Sequence, residues 1–471
     1  MVFSKNYIDG AWVNPQGQGM IAVENPFTHE TIASVPESNL DDVNLAVSAA
    51  RRAYRAWSES SMAERVEKMQ AMLAYLKTQA DRIVELEVAE LGSPKAFTRV
   101  AHCEYQFERI RSYIEVAQQI AFSEAFPHSL VERESVGVVV AITPWNYPLG
   151  QLVQKVIPAI LMGNTVIMKP SQVTPLTAFI LMEAFDHAGF PKGVLNLVSG
   201  RGSQLGDAFA CHRDVDMVSF TGSTSVGIEL SRKALGTMKR ISLELGGKSP
   251  AVWLKSEDYE PYVTQLMNSI FLNSGQTCTA LSRLIVPRED LETIKALLKK
   301  HVSEYRVGDP MDPTVKVGPM ATASQYRKVC EYIALGVEEG AQLLTGTVPD
   351  PKAEAYFVEP TIFVDVKNSM RIAQEEIFGP VLCVLTYDSL EEAIDIANDT
   401  VYGLNAAVNA PTQEAALAVA RRIKAGNVYV NNAPRDVYAP FGGYKESGLG
   451  REGGLYGLLE FTQLKALFVK A

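Results

Sequence analysis

Cys278 is the residue of this chain whose surroundings best suit a nucleophile. Residues 273–280 around it are small and polar, unlike the apolar neighbours of a packed core cysteine. A glycine-containing approach to a turn can expose a sulfur and lower its pKa from about 8.5, which favours the nucleophilic thiolate. The segment by itself predicts a candidate catalytic thiol, against the more common role of cysteine as a small buried residue.

Glu244 and Asn146 could supply the other groups that nucleophilic catalysis needs. Glu244 ends a strand-like run just before Gly246 and Gly247, where a buried carboxylate with a raised pKa can act as a general base. Asn146 follows the apolar run 136–142, and ligands of α/β folds bind beyond the carboxyl ends of strands. Its amide could stabilise an oxyanion. A surface glutamate and a proline-bracketed loop are the plain alternatives.

Two further segments could bind a ribose or a phosphate. Lys169 closes the apolar run 165–168 and could bind a ribose hydroxyl or a phosphate. Residues 220–227 follow a strand and open a helical stretch, where backbone amides can hold a phosphate. The segment is neither GxGxxG nor a P-loop, because Ile228 stands where a P-loop has lysine. An ordinary strand-to-helix turn is an equal alternative.

The elements that position these residues alternate between strands and helices. Apolar, β-branched runs at 136–142, 165–168, 194–198 and 215–220 are separated by helical stretches such as 153–161 and 177–188. This alternation predicts βαβ units around a parallel sheet, and a second alternating block covers 251–430. Helical patterns also begin near Leu40 and fill 63–121, with a break at 91–94.

Composition narrows the class of protein. The chain has 471 residues and a net charge of −10, which argues against a nucleic-acid or anionic-membrane partner. Its five cysteines are scattered without a CxxC pair, which favours a reducing compartment over a disulfide framework or a metal site. Residues 1–10 carry no targeting pattern and no apolar run is long enough to span a bilayer. We therefore expect a cytoplasmic protein without metal.

Taken together, the segments resemble the aldehyde dehydrogenase superfamily over essentially the whole chain. The resemblance rests on seven blocks in the family's order: Pro144-Trp145-Asn146, Lys169-Pro170-Ser171, Phe220-Thr221-Gly222-Ser223, Leu243-Glu244-Leu245-Gly246-Gly247-Lys248, Gly275-Gln276-Thr277-Cys278, Glu375-Glu376-Ile377-Phe378-Gly379-Pro380 and Pro440-Phe441-Gly442-Gly443-Tyr444-Lys445-Glu446-Ser447-Gly448. Each block alone is weak evidence, but their joint agreement is specific.

The resemblance implies oxidation of an aldehyde to the carboxylic acid with NAD(P)⁺. Cys278 would attack the carbonyl, and Asn146 with the backbone N–H of Cys278 would form the oxyanion hole. The thiohemiacetal would lose hydride to the nicotinamide and leave a thioester, which water activated by Glu244 would cleave. Lys155 and Glu452 match positions of a proton relay.

The resemblance also implies a cofactor set and a small-molecule aldehyde site. The cofactor positions are Thr143, Pro144, Trp145, Lys169, Ser171, Gln172, Gly222, Ser223, Leu245, Glu376 and Phe378. Gln172 stands where NAD-preferring relatives often carry glutamate, so repulsion of a 2′-phosphate is absent and we expect NADP to be at least tolerated. The substrate positions are Tyr147, Gln151, Gln154, Thr277, Thr279 and Tyr438.

Substrate class and competing activities are less constrained. Gln154 replaces an arginine of succinate-semialdehyde relatives, which favours a neutral aliphatic or aromatic aldehyde, although Arg435 is a candidate to compensate. The alternatives are a semialdehyde dehydrogenase, including the CoA-acylating type, a cofactor-independent cysteine esterase or hydrolase, and a non-enzymatic binding protein. Glu244 favours hydrolysis over acyl transfer to CoA. None of the six histidines adjoins Cys278 in sequence.

The fold implied by the resemblance is α/β, with two Rossmann-like parallel-sheet domains and a small β arm for oligomerisation. The dinucleotide-binding domain would cover 1–115 and 136–246, and the catalytic domain 247–446. The arm would combine 116–135 with 462–471 and would join the chain into a homodimer or homotetramer.

Overall fold

Two sheets of mainly parallel strands dominate the computed structural model, which describes residues 3–470. Met1, Val2 and Ala471, at the ends of the first predicted domain and of the predicted arm, lie outside the described residues. The strands are β1 (Asn6–Ile8), β2 (Ala11–Val13), β3 (Gly19–Glu24), β4 (Thr31–Glu37), β5 (Ser123–Phe126), β6 (Ser129–Ser135), β7 (Val138–Ile142), β8 (Thr165–Lys169), β9 (Leu195–Leu197), β10 (Met217–Thr221), β11 (Arg240–Glu244), β12 (Pro250–Trp253), β13 (Arg283–Pro287), β14 (Gln342–Thr345), β15 (Thr361–Val364), β16 (Val381–Tyr387), β17 (Asn405–Asn409), β18 (Asn427–Val430), β19 (Gly448–Leu449) and β20 (Thr462–Phe468).

Helices connect most of these strands. The α-helices are α1 (Leu40–Ser58), α2 (Met62–Thr78), α3 (Ala80–Leu91), α4 (Lys95–Phe97), α5 (Tyr105–Ala117), α6 (Pro148–Leu161), α7 (Leu176–His187), α8 (Gly202–Cys211), α9 (Thr224–Ala234), α10 (Glu260–Phe271), α11 (Leu291–Val302), α12 (Ala323–Glu338), α13 (Arg371–Gln374), α14 (Leu390–Asn398), α15 (Gln413–Ala420) and α16 (Gly454–Glu460). A π-helix covers Thr98–Glu104, and 3₁₀ turns cover Leu235–Thr237, Leu272–Gly275, Arg288–Asp290 and Lys445–Ser447.

The first sheet contains the four apolar runs that the sequence predicted as neighbouring strands. Its order is β19-β11-β10-β7-β8-β9-β1-β2. The central five strands are parallel, whereas β1, β2 and β19 are antiparallel edge strands. From β7 the chain proceeds to β8 and β9 on one side, then returns to β10 and β11 on the other. The gap between β7 and β10 is therefore a topological switch point, where α/β folds bind ligands.

Burial explains why these strands form the centre of the sheet. All residues of β7, β8 and β10 are buried, as expected for strands covered by helices on both faces. One face packs under α1, α8 and α9, and the other under α2, α6 and α7. Helix α1 begins where the sequence predicted, because Asn39 and Asp42 form a capping box at its start.

The second sheet has the order β14-β15-β16-β13-β12-β17-β18, and its strands are parallel except β14. The predicted α/β class with two parallel sheets is confirmed, with one correction: antiparallel strands are present at both ends of the first sheet and at the β14 end of the second. An antiparallel strand can join a sheet without the crossover connection that a parallel pair needs. No helix within residues 3–470 is both long and apolar enough to cross a membrane.

The helical region before the first sheet differs in detail from its prediction. The break at 91–94 is present, where Gly92 ends α3 in the left-handed conformation at φ 75°. The sequence did not predict the π-helix at 98–104, a local widening that is common at functional sites. Helix α5 continues to Ala117, so it overlaps the predicted start of the arm at 116.

The strands predicted as an oligomerisation arm form a separate sheet of order β20-β6-β5. Its C-terminal strand pairs with β6 from Thr462 to Phe468 and exposes apolar side chains, with Leu464 63% and Phe468 87% exposed. The division into domains and the role of this sheet remain predictions.

Candidate active site

The predicted site residues gather beyond the carboxyl ends of the strands that flank the switch point. Asn146 follows β7, Lys169 is the last residue of β8, and Glu244 is the last residue of β11. The N–H of Thr143 donates to the carbonyl of Lys169 at 3.2 Å, which ties the loops after β7 and β8 together. Parallel strands end at one edge of a sheet, so residues far apart in sequence become neighbours here.

The segment before Cys278 has an unusual backbone that other residues stabilise. Asn273, Ser274 and Gly275 all have left-handed φ values of 54°, 55° and 70°. Ser274 Oγ donates to the carbonyl of Gly318 at 2.9 Å, and Gln276 Oε1 accepts the N–H of Ala321 at 2.9 Å. Left-handed non-glycine residues are costly, so the surrounding structure must hold this turn in place.

The thiol of Cys278 is partly accessible, but protein encloses most of it. Burial raises the pKa of Cys278 to about 12, and the nearby Glu376 and Glu244 carboxylates raise it further, against the opposing field of Arg435. The sequence predicted a lowered thiol pKa, and that prediction was wrong in this structure. The turn places the sulfur at two cavities, and the largest effects of charged groups on it come from carboxylates.

Asn146 lies directly against the cysteine loop. Its Nδ2 donates to the carbonyl of Gln276 at 2.9 Å, and Asn273 Nδ2 donates back to the carbonyl of Asn146 at 3.0 Å. Asn146 is buried. The first bond holds the side-chain amide of Asn146 and the second its main chain, so the amide is fixed beside the backbone that leads to Cys278, as an oxyanion donor requires.

Glu244 is buried, and neither of its carboxyl oxygens has a hydrogen-bond partner among the described residues. Burial raises the pKa of this carboxyl well above its ordinary value; the Glu452 carboxylate raises it further, and the Lys155 ammonium lowers it. Lys155 Nζ donates to Glu452 Oε1 at 2.6 Å, and both side chains are buried. The structure thus brings the predicted base and the predicted relay pair together.

A cavity of about 150 Å³ lies on one side of Cys278. Seven predicted cofactor residues line it, together with Asn146: Pro144, Trp145, Gly222, Ser223, Leu245, Glu376 and Phe378. Glu376 Oε1 accepts the N–H of Gly247 at 2.9 Å. A side chain at Gly246 would place its Cβ 2.6 Å from Glu376 Oε2, so the Glu376 carboxylate would have to move from this position.

The remaining cofactor positions lie just beyond this cavity. Lys169 is buried and its ammonium makes no hydrogen bond within residues 3–470; burial lowers its pKa to about 8. Gln172 Oε1 accepts the N–H of Gly202 at 3.1 Å, and Ser171 Oγ accepts the N–H of Val173 at 3.2 Å. Thr143 is buried behind them. A buried cation without a protein partner fits a site that a polar ligand completes.

A second cavity, of about 330 Å³, lies on the other side of Cys278. Five predicted substrate residues line it: Tyr147, Gln151, Gln154, Thr277 and Thr279. Tyr438 does not, which corrects its placement from sequence. Its ring is 45% exposed and its hydroxyl donates to Glu115 at 2.5 Å, because the loop after β18 turns this side chain outward.

Comparison with known proteins agrees with this geometry. The family model described as "Aldehyde dehydrogenase family" matches residues 12–467. A 3-succinoylsemialdehyde-pyridine dehydrogenase from a Pseudomonas species is 42% identical over 98% of this chain and 97% of its own. The chain belongs to the aldehyde dehydrogenase family. The resemblance inferred from the sequence blocks is thereby confirmed.

Solved structures of other aldehyde dehydrogenases share the whole fold. A mutant of aldehyde dehydrogenase C from Pseudomonas syringae, in complex with NAD⁺ and octanal, is 40% identical with a TM-score of 0.97, covering 99% of this chain and 97% of that one. The Mycobacterium tuberculosis enzyme in complex with NAD⁺ is 38% identical with a TM-score of 0.96, covering 99% and 98%. This chain is accordingly an NAD(P)-dependent aldehyde dehydrogenase.

Sequence reasoning missed several residues of this aldehyde dehydrogenase's cavities. Gln325 and Lys328 of α12 line the cofactor-side cavity. Helix α4, the π-helix and α5 contribute a whole wall of the other cavity: Phe97, Val100, Ala101, Tyr105, Gln106 and Arg109. Tyr105 and Arg109 are four residues apart on one face of a helix, so a buried arginine on an otherwise apolar stripe was the available signal.

Within residues 3–470, no group of three or more histidine, cysteine, aspartate or glutamate side chains is arranged to hold a metal ion.

Proposed function

We propose that the enzyme oxidises aldehydes to carboxylic acids through a covalent intermediate on Cys278, which water activated by Glu244 then hydrolyses. One observation carries the proposal: among residues 3–470, Cys278 is the single residue that lines both cavities. A nucleophile at the junction of two cavities can bind a substrate carbonyl from one side while the hydride acceptor occupies the other.

The residues of the smaller cavity suit a nicotinamide dinucleotide. Helix α9 begins at Thr224 directly after the buried strand β10, and its free N–H groups suit a pyrophosphate. The unpartnered ammonium of Lys169 and the carboxylate of Glu376 suit ribose hydroxyls. When bound, the nicotinamide accepts the hydride that leaves the substrate carbon.

Attack by Cys278 first requires removal of its proton. Its raised pKa keeps the thiol protonated near neutral pH in this structure, so a base is needed before the sulfur can add to the aldehyde carbon. We assign this first proton to water in the cavity, which leaves Glu244, with both carboxyl oxygens unpartnered among the described residues, for the hydrolysis step. The carbonyl oxygen takes up negative charge, which the Asn146 amide and the backbone N–H of Cys278 stabilise.

Loss of hydride leaves a thioester on Cys278, and hydrolysis returns the free enzyme. Glu244 takes a proton from water, the hydroxyl adds to the acyl carbon, and the carbon–sulfur bond breaks. Cys278 recovers a proton as the acid leaves. A glutamate with a raised pKa is a suitable base near neutral pH. The buried Lys155–Glu452 pair offers a path for the accumulated proton.

The alternatives carry less support. Acyl transfer to CoA does not need a buried base, whereas Glu244 is present and unpartnered. A cysteine hydrolase needs a histidine to activate the thiol, and none of the residues that line either cavity is a histidine.

We also propose that the β20-β6-β5 sheet joins two or more copies of the chain. Leu464 and Phe468 on its C-terminal strand are too exposed and apolar for a surface facing only water. Analytical ultracentrifugation should give a dimer or tetramer, and Phe468→Asp should shift the distribution towards monomer. A wild-type monomer at micromolar concentration would contradict the proposal.

The decisive experiment is an aldehyde panel with NAD⁺ and NADP⁺, combined with intact-mass analysis of the enzyme. We expect reduced cofactor, carboxylic acid in equal amount, and an acyl group on Cys278 when turnover is stopped early. Acid formation without any nicotinamide cofactor would favour the cysteine hydrolase. Acid formation that requires CoA would favour the acylating type.

A further inference from the structure

Two arginines line the larger cavity without a carboxylate to pair with. Arg109, on α5, is only 6% exposed, and Arg435, in the loop after β18, lines the same cavity where it opens to solvent. Within residues 3–470 no aspartate or glutamate oxygen lies within 4.0 Å of either guanidinium. A buried arginine is normally paired, so the unpaired Arg109 needs an explanation, and Arg435 adds a second unpaired charge to the same cavity.

Aromatic rings hold both guanidiniums in place without using all their donors. Arg435 lies 4.6 Å from the ring centroid of Phe441 and 6.0 Å from that of Tyr105. Arg109 lies 4.9 Å from the Tyr105 ring, and its Nη1 donates to Gln106 Oε1 at 2.7 Å. Each guanidinium has five N–H donors, and stacking on a ring leaves those at its edges free.

The charge of Arg109 is costly where it stands. Burial lowers the pKa of Arg109 to about 10, and the like charge of Arg435 lowers it further. The carboxylate next to Arg435 in the chain is engaged elsewhere, since Asp436 accepts the N–H of Tyr438 at 2.9 Å. An anion entering the cavity would relieve this cost.

We propose that the physiological substrate is an aldehyde with a carboxylate at the end remote from the carbonyl, and that Arg109 and Arg435 bind this carboxylate. The inference rests on the proposed function, since it assigns the far end of the same substrate. It departs from the neutral aldehyde predicted from Gln154. That position does lack a guanidinium, but α5 and the loop after β18 supply two from other walls. Phe97, Val100 and Ala101 provide an apolar wall for the carbon chain between the two ends.

The test compares 4-oxobutanoate and 5-oxopentanoate with pentanal and octanal, in the wild type and in Arg435→Gln and Arg109→Gln. We expect the wild type to favour a carboxylated aldehyde by about tenfold or more in kcat/KM. Each variant should lose about 10- to 100-fold on that substrate, mainly through KM, because a hydrogen bond to a charged group is removed. Turnover of pentanal should fall much less, because pentanal offers no carboxylate to either guanidinium, and loss of the Arg435 field at the Cys278 thiol affects both substrates alike.

Controls separate a binding role from a structural one. Arg111→Gln removes an exposed arginine from the same helix as Arg109, and kcat/KM should stay unchanged for both classes of aldehyde. Arg435→Lys keeps the charge and should recover part of the preference. Arg435 is exposed, so its variants remain informative if the buried Arg109→Gln fails to fold. Assays with glyceraldehyde 3-phosphate show whether the arginines select any anion or a carboxylate in particular. Turnover of this phosphate equal to or better than that of the carboxylated aldehydes overturns the carboxylate assignment.

The inference and the proposed function can fail separately. Turnover of pentanal or octanal at least as fast as the carboxylated aldehydes, with equal effects of Arg435→Gln on all of them, overturns the inference alone. Absence of turnover on every aldehyde, with no acyl group on Cys278, overturns the proposed function itself.

Discussion

The two cavities that meet at Cys278 are built in different ways. The cofactor-side cavity is lined mainly by residues at the carboxyl ends of β7, β10 and β11. The substrate-side cavity is lined by helices, by the π-helix and by a loop more than 280 residues further along the chain. A sheet edge is a rigid frame that backbone hydrogen bonds fix, whereas the other cavity depends on how separate elements pack. Cofactor binding can thus stay constant in this fold while the substrate changes.

The largest expected effect comes from the residue that both cavities share. Cys278→Ala should lower aldehyde oxidation by about 10⁴-fold or more with either cofactor, because no thiohemiacetal can form. Dinucleotide binding, measured by fluorescence titration, should persist, since the sheet edge is unchanged. Cys211→Ala removes an exposed cysteine as the matched control. Full oxidation by Cys278→Ala would refute the mechanism.

Glu244→Gln should allow oxidation of the aldehyde to the thioester but should block hydrolysis of that thioester. Steady-state turnover should fall by about 10²- to 10⁴-fold, because the water loses its base. An acyl-enzyme should accumulate in intact-mass spectra after a single turnover. Glu108→Gln, at an exposed glutamate, serves as the control. Unchanged turnover without any acyl-enzyme would contradict the role given to Glu244.

The same residue predicts the pH dependence. Only the ionised carboxylate can take a proton, and burial raises the pKa of Glu244 well above its ordinary value. Acyl-enzyme hydrolysis should therefore be slow at acidic pH and rise with pH, with an apparent pKa above the usual value of about 4.3. Single-turnover deacylation across a pH series measures this rise. A wild-type deacylation rate that does not change with pH, as expected for Glu244→Gln, would show that ionisation of Glu244 does not control this step.

Asn146→Ala tests whether Asn146 stabilises the oxyanion between the two cavities or binds the cofactor. We expect kcat to fall by about 10²- to 10³-fold, since a donor to the developing charge is lost. The KM for NAD⁺ should change little, because Asn146 bonds to the cysteine loop rather than to the ribose-side residues. Asn44→Ala, on the exposed face of α1, is the control. A rise in KM for NAD⁺ at unchanged kcat would assign Asn146 to cofactor binding.

The smallest effect is expected from a change confined to the cofactor side. Gln172→Glu should lower kcat/KM for NADP⁺ by about tenfold or more, because a carboxylate repels the 2′-phosphate. The value for NAD⁺ should remain within about threefold. Gln119→Glu, at an exposed glutamine of the helical region, controls for added charge. A wild-type preference for NAD⁺ beyond about a thousandfold, roughly 4 kcal/mol, would show that NADP⁺ is not tolerated.

The cofactor side was largely predictable because its signals are local. A buried strand reads as an apolar run, and the residue that follows it must lie at the sheet edge. For that reason Asn146, Lys169 and Ser223 could be placed from their own neighbours, and the motif order supplied Glu376 and Phe378. The exceptions, Gln325 and Lys328, come from a helix whose approach to this cavity is a tertiary contact.

The sequence by itself determined the family, the α/β architecture and the residues that could do chemistry, because each rests on short segments with a fixed local meaning. Only the tertiary structure decided the environment of those residues. It raised the pKa of the Cys278 thiol instead of lowering it, turned Tyr438 towards Glu115, and brought Arg109 and Arg435 to one cavity. Burial, packing and distance between charges depend on elements far apart in the chain, and no local pattern encodes them.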